Sequence, residues 1–553
     1  MAQDVESRNR PSGPPSWASI PNKFQLFVIC SVRIADFFQQ AAIQAYMFYQ
    51  LKSFSPSAPD SQISFEAGVL QGVFTAAQVF TGILWGRVAD SPKFGRKSVL
   101  LIGLTGQGLS CVGVAFSGSF TTAAVWRCLG GAVNATVGGA RTSLAECTEK
   151  RYHPKTFLLL PLAWNIANIF GPLVGGLLSD PVANYPGLFG PNSTFGGAEG
   201  VSWLKKFPYA APNLFCAFVL FADAGLVWLG LRETLITKKD QRDPGLDLAE
   251  TIRIRLRNLL FKRFGYTQLN QSDAVGGIGD DDDDEGTMAS GVQLTDLPVK
   301  KEVDTMVMTE QSAKGTASMS DMSTPPEAPK TSPPFYHALT RNVLLVLATV
   351  AIMDFQMGGF TSLWTMFLSS ARRTDEEKTT VHLPFVFTGG LQFSLPTIGL
   401  AMSILGFIGI FLQLTLYPSV NARFGLLRSF RWSLFAFPVA YALAPYLSLL
   451  ISHSFLLWVG IVVVVLLQVS ARTFAIPGSV LLINNSSPSP AMLGTIHGMG
   501  AATSSAFRTI GPIVAGHWYA QGLQMGVIGW AWWCLSLVSL LGVVPSYWAR
   551  DGR

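Results

Sequence analysis

Residues 86–97 of the chain, GRVADSPKFGRK, directly follow the apolar run 69–85. The stretch contains one acid, Asp90. Its cations are Arg87, Lys93, Arg96 and Lys97. Lys and Arg gather in the short cytosolic loops of membrane proteins, next to the ends of the hydrophobic spans. The stretch therefore predicts a membrane-spanning chain that turns at this point on the cytosolic side.

The composition supports a membrane protein. Of the 553 residues, 49% are hydrophobic and only 13% are charged, which leaves too little polar surface for a soluble fold. A helix needs about 20 apolar residues to cross about 30 Å of hydrocarbon. Twelve stretches meet this requirement, six before and six after the polar segment 232–340, which predicts an all-α membrane protein with two six-helix bundles. The predicted spans are 24–50, 65–86, 98–117, 120–143, 157–179, 208–231, 341–369, 396–420, 428–449, 455–483, 492–519 and 523–547.

The charges of the short loops predict the orientation of the chain. Lys and Arg are concentrated in the alternate loops 87–97, 150–155 and 423–431, so these loops and both termini are expected to be cytosolic. Asn192-Ser193-Thr194 is a glycosylation sequon in a loop that this rule places outside, so Asn192 is expected to carry a glycan. We expect the plasma membrane rather than the vacuolar membrane.

The segment 232–340 is a predicted cytosolic linker. It is rich in Asp, Ser, Thr and Pro and is expected to be largely disordered. A basic amphipathic helix is predicted near 250–265, which either lies on the anionic inner leaflet or connects the two bundles in solvent. The other predicted domains are a disordered N-terminus (1–23), the N-terminal bundle (24–231), the C-terminal bundle (341–548) and a cytosolic tail (549–553).

Several classes of protein are excluded by what the sequence lacks. Its six cysteines lie in or beside spans without a CxxC pair, so neither a structural disulfide nor a metal cluster is expected. No phosphate-binding GxxxxGK[ST] loop and no HExxH spacing occurs, which argues against an ATP-driven pump and against an enzyme. The net charge of +6 is explained largely by the cytosolic loops and does not call for nucleic acid. We expect no cofactor.

Three features of the first half recur in the same order in the second half. GPLVGG at 171–176 corresponds to GPIVAG at 511–516, Arg127 corresponds to Arg472, and KFGRK at 93–97 corresponds to ARFG at 422–425. Their shared order indicates the duplication of a six-span unit, which makes the two bundles pseudo-symmetric. Duplicated bundles of this kind enclose a binding site between them near the middle of the membrane.

The loop after the second span resembles the signature of the major facilitator superfamily. The matching residues are Gly86, Asp90, Gly95, Arg96 and Lys97, although Asp90 and Gly95 are two residues farther apart than in the usual pattern. The resemblance implies the major facilitator fold and a cytosolic gate that clamps the two halves together when the cavity faces outward. The alternative is that these cations only set the topology.

A second motif lies in the fifth predicted span. Gly171, Pro172, Gly175 and Gly176 resemble the motif of drug:proton antiporters, with Ala167 in place of the first glycine. The resemblance implies export, whereas ordinary close packing of small residues is the alternative. The stretches 30–46, 158–181 and 207–220 are similar to a fungal, efflux-type branch of these antiporters.

Polar residues line one side of the first span. Arg33, Asp36, Gln40 and Gln44 follow one another at spacings of three, four and four, which places them on one narrow arc of a helix. An ion facing lipid costs about 2.5–3.5 kcal/mol on insertion scales, so this arc should face protein or water. We therefore expect it to line the cavity.

The candidate residues for proton coupling are Asp36 and Asp354. A buried acid that is alternately paired with an arginine and freed from it can take up and release a proton, but each acid could equally form a permanent ion pair that holds its bundle together. The other candidates for the cavity and for substrate binding are Arg127, Asn134, Trp164, Trp364, Arg472, His497 and Arg508.

These observations favour a secondary transporter that works by alternating access. The leading hypothesis is proton-coupled export of small amphipathic organic molecules, such as drugs or secondary metabolites. The interior cations make a transporter of organic anions or metal chelates the alternative, and a non-transporting membrane sensor remains a third. The expected partners are the small-molecule substrate, protons and the lipid bilayer, and we expect a monomer.

Overall fold

The computed structural model describes residues 19–149, 152–235, 238, 241–263, 339–372, 382–486 and 493–548. This part of the chain is almost entirely helical and contains no strand beyond a single bridge between His382 and Val386. The longer helices are α1 (Lys23–Phe54), α2 (Asp60–Asp90), α3 (Gly95–Ala115), α4 (Phe120–Val133), α5 (Thr136–Cys147), α6 (Leu159–Leu178), α7 (Ala210–Gly230), α8 (Pro244–Arg263), α9 (Arg341–Ser369), α10 (Leu395–Phe411), α11 (Tyr417–Phe424), α12 (Leu426–Leu443), α13 (Ser454–Asn485), α14 (Leu493–Gln524) and α15 (Trp530–Trp548).

Ten stretches of described helix are long and apolar enough to cross a membrane. They correspond to ten of the twelve predicted spans. The fourth predicted span is formed by α4 and α5 together, and the eleventh by α14, whose arginine, histidine and glycine residues lower its hydropathy. The all-α fold of two bundles that was predicted from the sequence is therefore confirmed.

The helix pairs repeat between the two halves. In the first half α1 packs on α6, α3 on α7 and α2 on α4. In the second half α9 packs on α14, α12 on α15 and α10 on α13, which are the corresponding pairs if span one matches span seven. Two further pairs, α2 with α14 and α6 with α10, join the halves. The repeated sequence motifs thus reflect a repeated arrangement of helices.

Span four is interrupted at Asn134, where a continuous helix over 120–143 was predicted. The side-chain carbonyl of Asn134 accepts hydrogen bonds from the backbone N–H and the hydroxyl of Thr136, at 3.2 and 2.7 Å. Asn competes with helical hydrogen bonding in this way because its short side chain reaches nearby backbone groups. The break leaves α4 and α5 as separate helices and turns the Asn134 amide group toward α1.

The described residues of Met1–Thr251 and Pro333–Arg553 belong to one compact unit, and Ile252–Ser332 belong to a second. In the second unit, residues 252–263 continue α8, so the predicted linker helix exists and begins earlier than expected. Its Ile252 and Leu256 side chains are exposed. The predicted disordered N-terminus, most of the linker and the C-terminal tail lie outside the described residues.

Candidate functional site

The helices α2 and α14 are in contact at one end and apart at the other. A Cβ added to Gly68 would lie 2.5 Å from the carbonyl oxygen of Pro512. Gly82 follows Gly68 by 14 residues and points within about 40° of the same direction, yet nothing lies within 4 Å of a Cβ there. Gly498, 14 residues before Pro512, also faces open space. A cleft therefore opens between the halves toward the end where α2 joins α3, here called the basic end.

The opposite end of the molecule is closed. One hydrophobic cluster crosses both halves there and includes Leu51, Ile63, Phe367 and Ile398, whereas the second large cluster contains only residues of the first half. The Tyr49 hydroxyl of α1 donates a hydrogen bond to the carbonyl oxygen of residue 393 at 2.7 Å. The halves thus share this hydrophobic cluster away from the basic end, while α6 also stays in contact with the second half nearer that end, where the Gln413 side chain donates to the carbonyl oxygen of Leu158 at 3.4 Å and accepts from Asn165 at 2.8 Å.

The glycine-proline motif of α6 lies where the two halves meet. A Cβ added to Gly171 or Gly175 would lie within 3 Å of α1, and one added to Gly176 would overlap the carbonyl group of Leu395 in α10. Only glycine allows three helices to approach so closely. The predicted motif therefore packs α6 against its own bundle and against the other half at once, with Pro172 in contact with α10.

Asp36 is fully buried and holds a polar cluster together in the first half. Its carboxylate pairs with Arg33 at 2.5 Å and accepts hydrogen bonds from Gln40 at 3.0 Å and Asn134 at 2.9 Å. Arg33 also donates to the Thr136 hydroxyl at 3.2 Å. The helix break at Asn134 brings the junction of α4 and α5 close to this acid. Two residues of the predicted arc, Arg33 and Gln40, and two residues of span four therefore gather around Asp36.

Asp354 has a simpler environment in the second half. Arg508 of α14 donates to its carboxylate at 2.9 Å. The Asp354 side chain is 4% exposed, whereas that of Arg508 is 56% exposed. The arginine therefore lies on the wall of the cleft with its acid partner behind it, in contrast to the enclosed pair of Arg33 and Asp36.

Arg127 lies inside the first bundle rather than on the cleft. It is 3% exposed, donates to the Gln39 side chain at 3.3 Å and lies 4.3 Å from the centre of the Phe74 ring. No described residue accepts a hydrogen bond from its Nε or Nη2 atoms. Arg127 was predicted to line the cavity, but α1, α2 and α4 enclose its side chain instead.

Arg472, its counterpart in the second half, is covered from across the interface. The Trp164 ring of α6 lies 3.9 Å from the guanidinium carbon, and Arg472 is 7% exposed. A cation over the face of an indole ring is stabilised by about 0.5–2 kcal/mol. The two predicted residues are thus brought together, one from each half.

Other predicted cavity residues are placed differently. Trp364 is 1% exposed and packs between the rings of Phe360 and Trp532, so it belongs to the aromatic core of the second half and does not line the cleft. Gln44 is half-buried, one turn beyond Gln40 on α1. The side chain of His497 lies outside the described residues.

The predicted gate is assembled on the first half. The Asp90 carboxylate pairs with Arg96 at 2.5 Å, and Arg96 also contacts Glu146 at 3.2 Å. Gly86 faces open space, and Gly95 has a φ of +76°, which favours glycine at the start of α3. Among the described residues no hydrogen bond or ion pair joins these groups to the second half, in agreement with an open basic end.

The residues that hold this gate in place were not predicted from the sequence. The Glu233 carboxylate accepts hydrogen bonds from the backbone N–H groups of Arg96 and Lys97, at 2.9 and 3.2 Å. The Lys97 ammonium pairs with Asp243 at 2.6 Å. The first residues after α7 thus cap the positive N-terminal end of α3. Their acids lie far away in sequence, in a segment that was interpreted as linker, so spacing alone gave no signal.

Arg141 of α5 was not among the candidate residues predicted from the sequence. Its side chain on α5 is exposed, and a Cβ at Gly138, one turn earlier, would meet nothing within 4 Å. No hydrogen-bonding or ionic partner for Arg141 is found in the described part of the chain. Asn192 is exposed in the loop 180–208, so its predicted glycosylation stays a prediction.

The chain is similar in sequence to known membrane transporters. Residues 26–512 match the family model of the Major Facilitator Superfamily. A major facilitator superfamily multidrug transporter of Aspergillus fumigatus, mfsB, is 31% identical over 549 residues, which cover 98% of this chain and 85% of that protein. A probable peptide/nitrate transporter of Arabidopsis thaliana is 22% identical over 85% of this chain and 78% of its own length.

A similar fold is found among solved structures. The crystal structure of the POT family transporter PepTSo superposes with a TM-score of 0.57, at 12% identity, over 97% of this chain and 98% of its own. Sequence identity at this level supports the arrangement of helices and nothing about the cargo.

Proposed function

The chain belongs to the Major Facilitator Superfamily, and we propose that it exports small amphipathic organic molecules, such as drugs or secondary metabolites, in exchange for protons. Its apolar helices and its relatives make it an integral multi-pass membrane protein and a secondary transporter, so its family points to transport rather than catalysis. The relative from Aspergillus fumigatus is named a multidrug transporter, which supports this class of cargo.

Alternating access requires a central site that opens to one side at a time. The cleft between α2 and α14 is open at the basic end and closed by shared hydrophobic packing at the other. With the basic loops in the cytosol, as their charges predict, this conformation receives cargo from inside the cell. Rocking of the bundles about the contacts of α6 with α10 would close the basic end and open the outer one.

The pair of Asp354 and Arg508 is the observation that supports proton coupling. The acid is buried, while Arg508, its one hydrogen-bonding partner among the described residues, faces the cleft. Because Arg508 lies on the wall of the cleft, rocking of the bundles moves it relative to Asp354, so this is the pair that we expect to couple the conformational change to protons. Asp36, with three polar partners of its own, is better suited to a structural role.

The experiment compares accumulation of a panel of fluorescent organic molecules in cells with and without the protein, before and after the pH gradient is collapsed. We expect cells with the protein to accumulate less of these molecules. This difference should disappear when the pH gradient is collapsed. The variant Asp354→Asn should abolish gradient-driven export. The matched control is Asp223→Asn, which alters a buried acid of α7, a helix that packs on α1, α3 and α6 of its own bundle.

The outcomes separate the parts of the proposal. Unchanged accumulation across the whole panel would contradict the export of such molecules. Export that persists without a gradient would contradict coupling to protons. Equal effects of the Asp354 and Asp223 variants would show that the Asp354 substitution damages the fold rather than the coupling.

A further inference from the structure

The first turn of α8 is fixed at the end of a helix that is long and apolar enough to cross the membrane. The Lys97 ammonium pairs with the Asp243 carboxylate at 2.6 Å and donates to the carbonyl oxygen of Trp228, in the last turn of α7, at 2.7 Å. Gly245 packs against the same carbonyl oxygen, which a Cβ at this position would overlap. Helix α8 therefore begins where α7 leaves the membrane, at the basic end.

Beyond this point α8 carries an uncovered apolar stripe. All residues from 251 to 258 are exposed. Leu248, Ile252 and Leu256 are 40%, 40% and 53% exposed. At about 100° per residue, Leu248 and Leu256 each lie about 40° from Ile252 around the helix. The three side chains thus form one stripe that no described residue buries.

The charges on this part of α8 are of one sign. Residues 251–258 include Arg253, Arg255 and Arg257 and no acid. Arg253 and Arg255 flank the apolar stripe, about 100° and 60° from Ile252 on its two sides. Arg253 and Arg257 are four residues apart, and like charges at this spacing destabilise a helix that is already too short to be stable alone in water. The helix therefore calls for a partner surface that is both anionic and apolar beneath.

We propose that α8 docks on the anionic lipids of the inner leaflet. The apolar stripe enters the boundary between headgroups and acyl chains, while Arg253 and Arg255 contact the phosphate and carboxylate groups of the lipids. A bilayer fits better than another protein because α8 starts at the membrane boundary. At about 1.5 Å per residue, about 18 Å of helix separates Gly245 from Arg257, so the arginines stay near the membrane. The inference uses the predicted cytosolic orientation of the basic end and does not depend on the cargo or on protons.

The test places the full-length protein in lipid nanodiscs of POPC alone or of POPC with about 30% of the anionic lipid POPS. Docking is measured as the rate of hydrogen–deuterium exchange at the backbone amides of residues 251–258. We expect exchange at least about tenfold slower with POPS, since each arginine near an anionic surface contributes about a fivefold preference for the docked state. Soluble phosphate added to the POPC nanodiscs should give no protection.

Matched variants separate the two parts of the surface. Arg253→Gln combined with Arg255→Gln should remove most of the protection that POPS gives, whereas the corresponding double lysine variant should retain most of it, because lipid headgroups respond to positive charge. Ile252→Asn should also weaken protection. Its control is Ile254→Asn, which changes helix propensity equally but lies about 160° from Ile252, on the opposite side of the helix.

Three results would overturn the inference. Equal exchange in POPC and in POPC with POPS would show that anionic lipid does not bind α8. Equal loss of protection in the Ile252 and Ile254 variants would show that exchange follows the stability of the helix rather than its docked face. Protection by soluble phosphate alone would replace the lipid surface with a site for a small anion.

Discussion

The two buried acids should differ sharply when each is replaced by asparagine. Asp36→Asn removes the charge that balances Arg33, which is 5% exposed, and its amide N–H groups must face either the Arg33 guanidinium or the amide donors of Gln40 and Asn134. Removing one partner of a buried ion pair costs about 3–5 kcal/mol. Asp354→Asn instead leaves Arg508 at the cleft, where its 56% exposed side chain is hydrated, and the expected loss is about 1 kcal/mol or less.

The assay is the temperature at which the protein loses its monodisperse form in detergent, read from a fused fluorescent protein by size-exclusion chromatography. This transition is irreversible, so it ranks variants rather than giving a free energy. We expect a clearly lower midpoint for Asp36→Asn than for Asp354→Asn. The double variant Arg33→Gln with Asp36→Asn should recover much of the loss, because no uncompensated charge remains buried.

Two results would refute this reasoning. One is an equal or larger loss of stability for Asp354→Asn, which would mean that the pair of Asp354 and Arg508 is as enclosed as that of Asp36 and Arg33. The other is a double variant no more stable than Asp36→Asn alone, which would mean that hydrogen bonds to Gln40 and Asn134, rather than charge balance, make the cluster important.

Three further predictions concern packing, capping and topology. Glu233→Gln should lower the same thermal midpoint, since a carboxylate at a helix N-terminus contributes up to about 2 kcal/mol, while Glu250→Gln on exposed α8 should not. Gly176→Ala should destabilise the protein by about 1–3 kcal/mol and reduce transport, because its Cβ overlaps the backbone of α10, whereas Gly225→Ala, with nothing within 4 Å, should be tolerated. Asn192→Gln should abolish the electrophoretic shift that a glycosidase produces in the wild-type protein; the absence of any shift in the wild type would contradict the predicted orientation of this loop.

Much of the fold could be predicted because apolar length is a local property. The span predicted over 24–50 is α1, and that over 455–483 is α13, each to within a few residues. The prediction failed where a side chain competed with the backbone, as at Asn134 in span four. The beginning of α8 was also predicted too late, because its first turn depends on Asp243, whose carboxylate accepts from the N–H groups of residues 245 and 246.

The sequence predicted which residues belong to the candidate site better than it predicted how they are arranged. Helical spacing identified Arg33, Asp36 and Gln40 as one group, and the structure joins them in one cluster. Spacing could not show that Trp364 is enclosed by other aromatic rings, since this depends on helices distant in sequence. For the same reason, spacing could not show that Arg127 is enclosed by α1, α2 and α4.

The sequence by itself determined that this chain forms apolar helices in two related sets. Hydrophobic length, loop charge and repeated motifs are local features that can be read directly from the order of the residues. Only the tertiary structure decided which charges are neutralised and which face the cleft. Asp36 and Asp354 look alike in sequence, one on each half, yet one is held by three polar neighbours and the other by an arginine exposed to water. The difference arises because burial and ion pairing depend on how separate helices approach one another, and that distance is not encoded in any single helix.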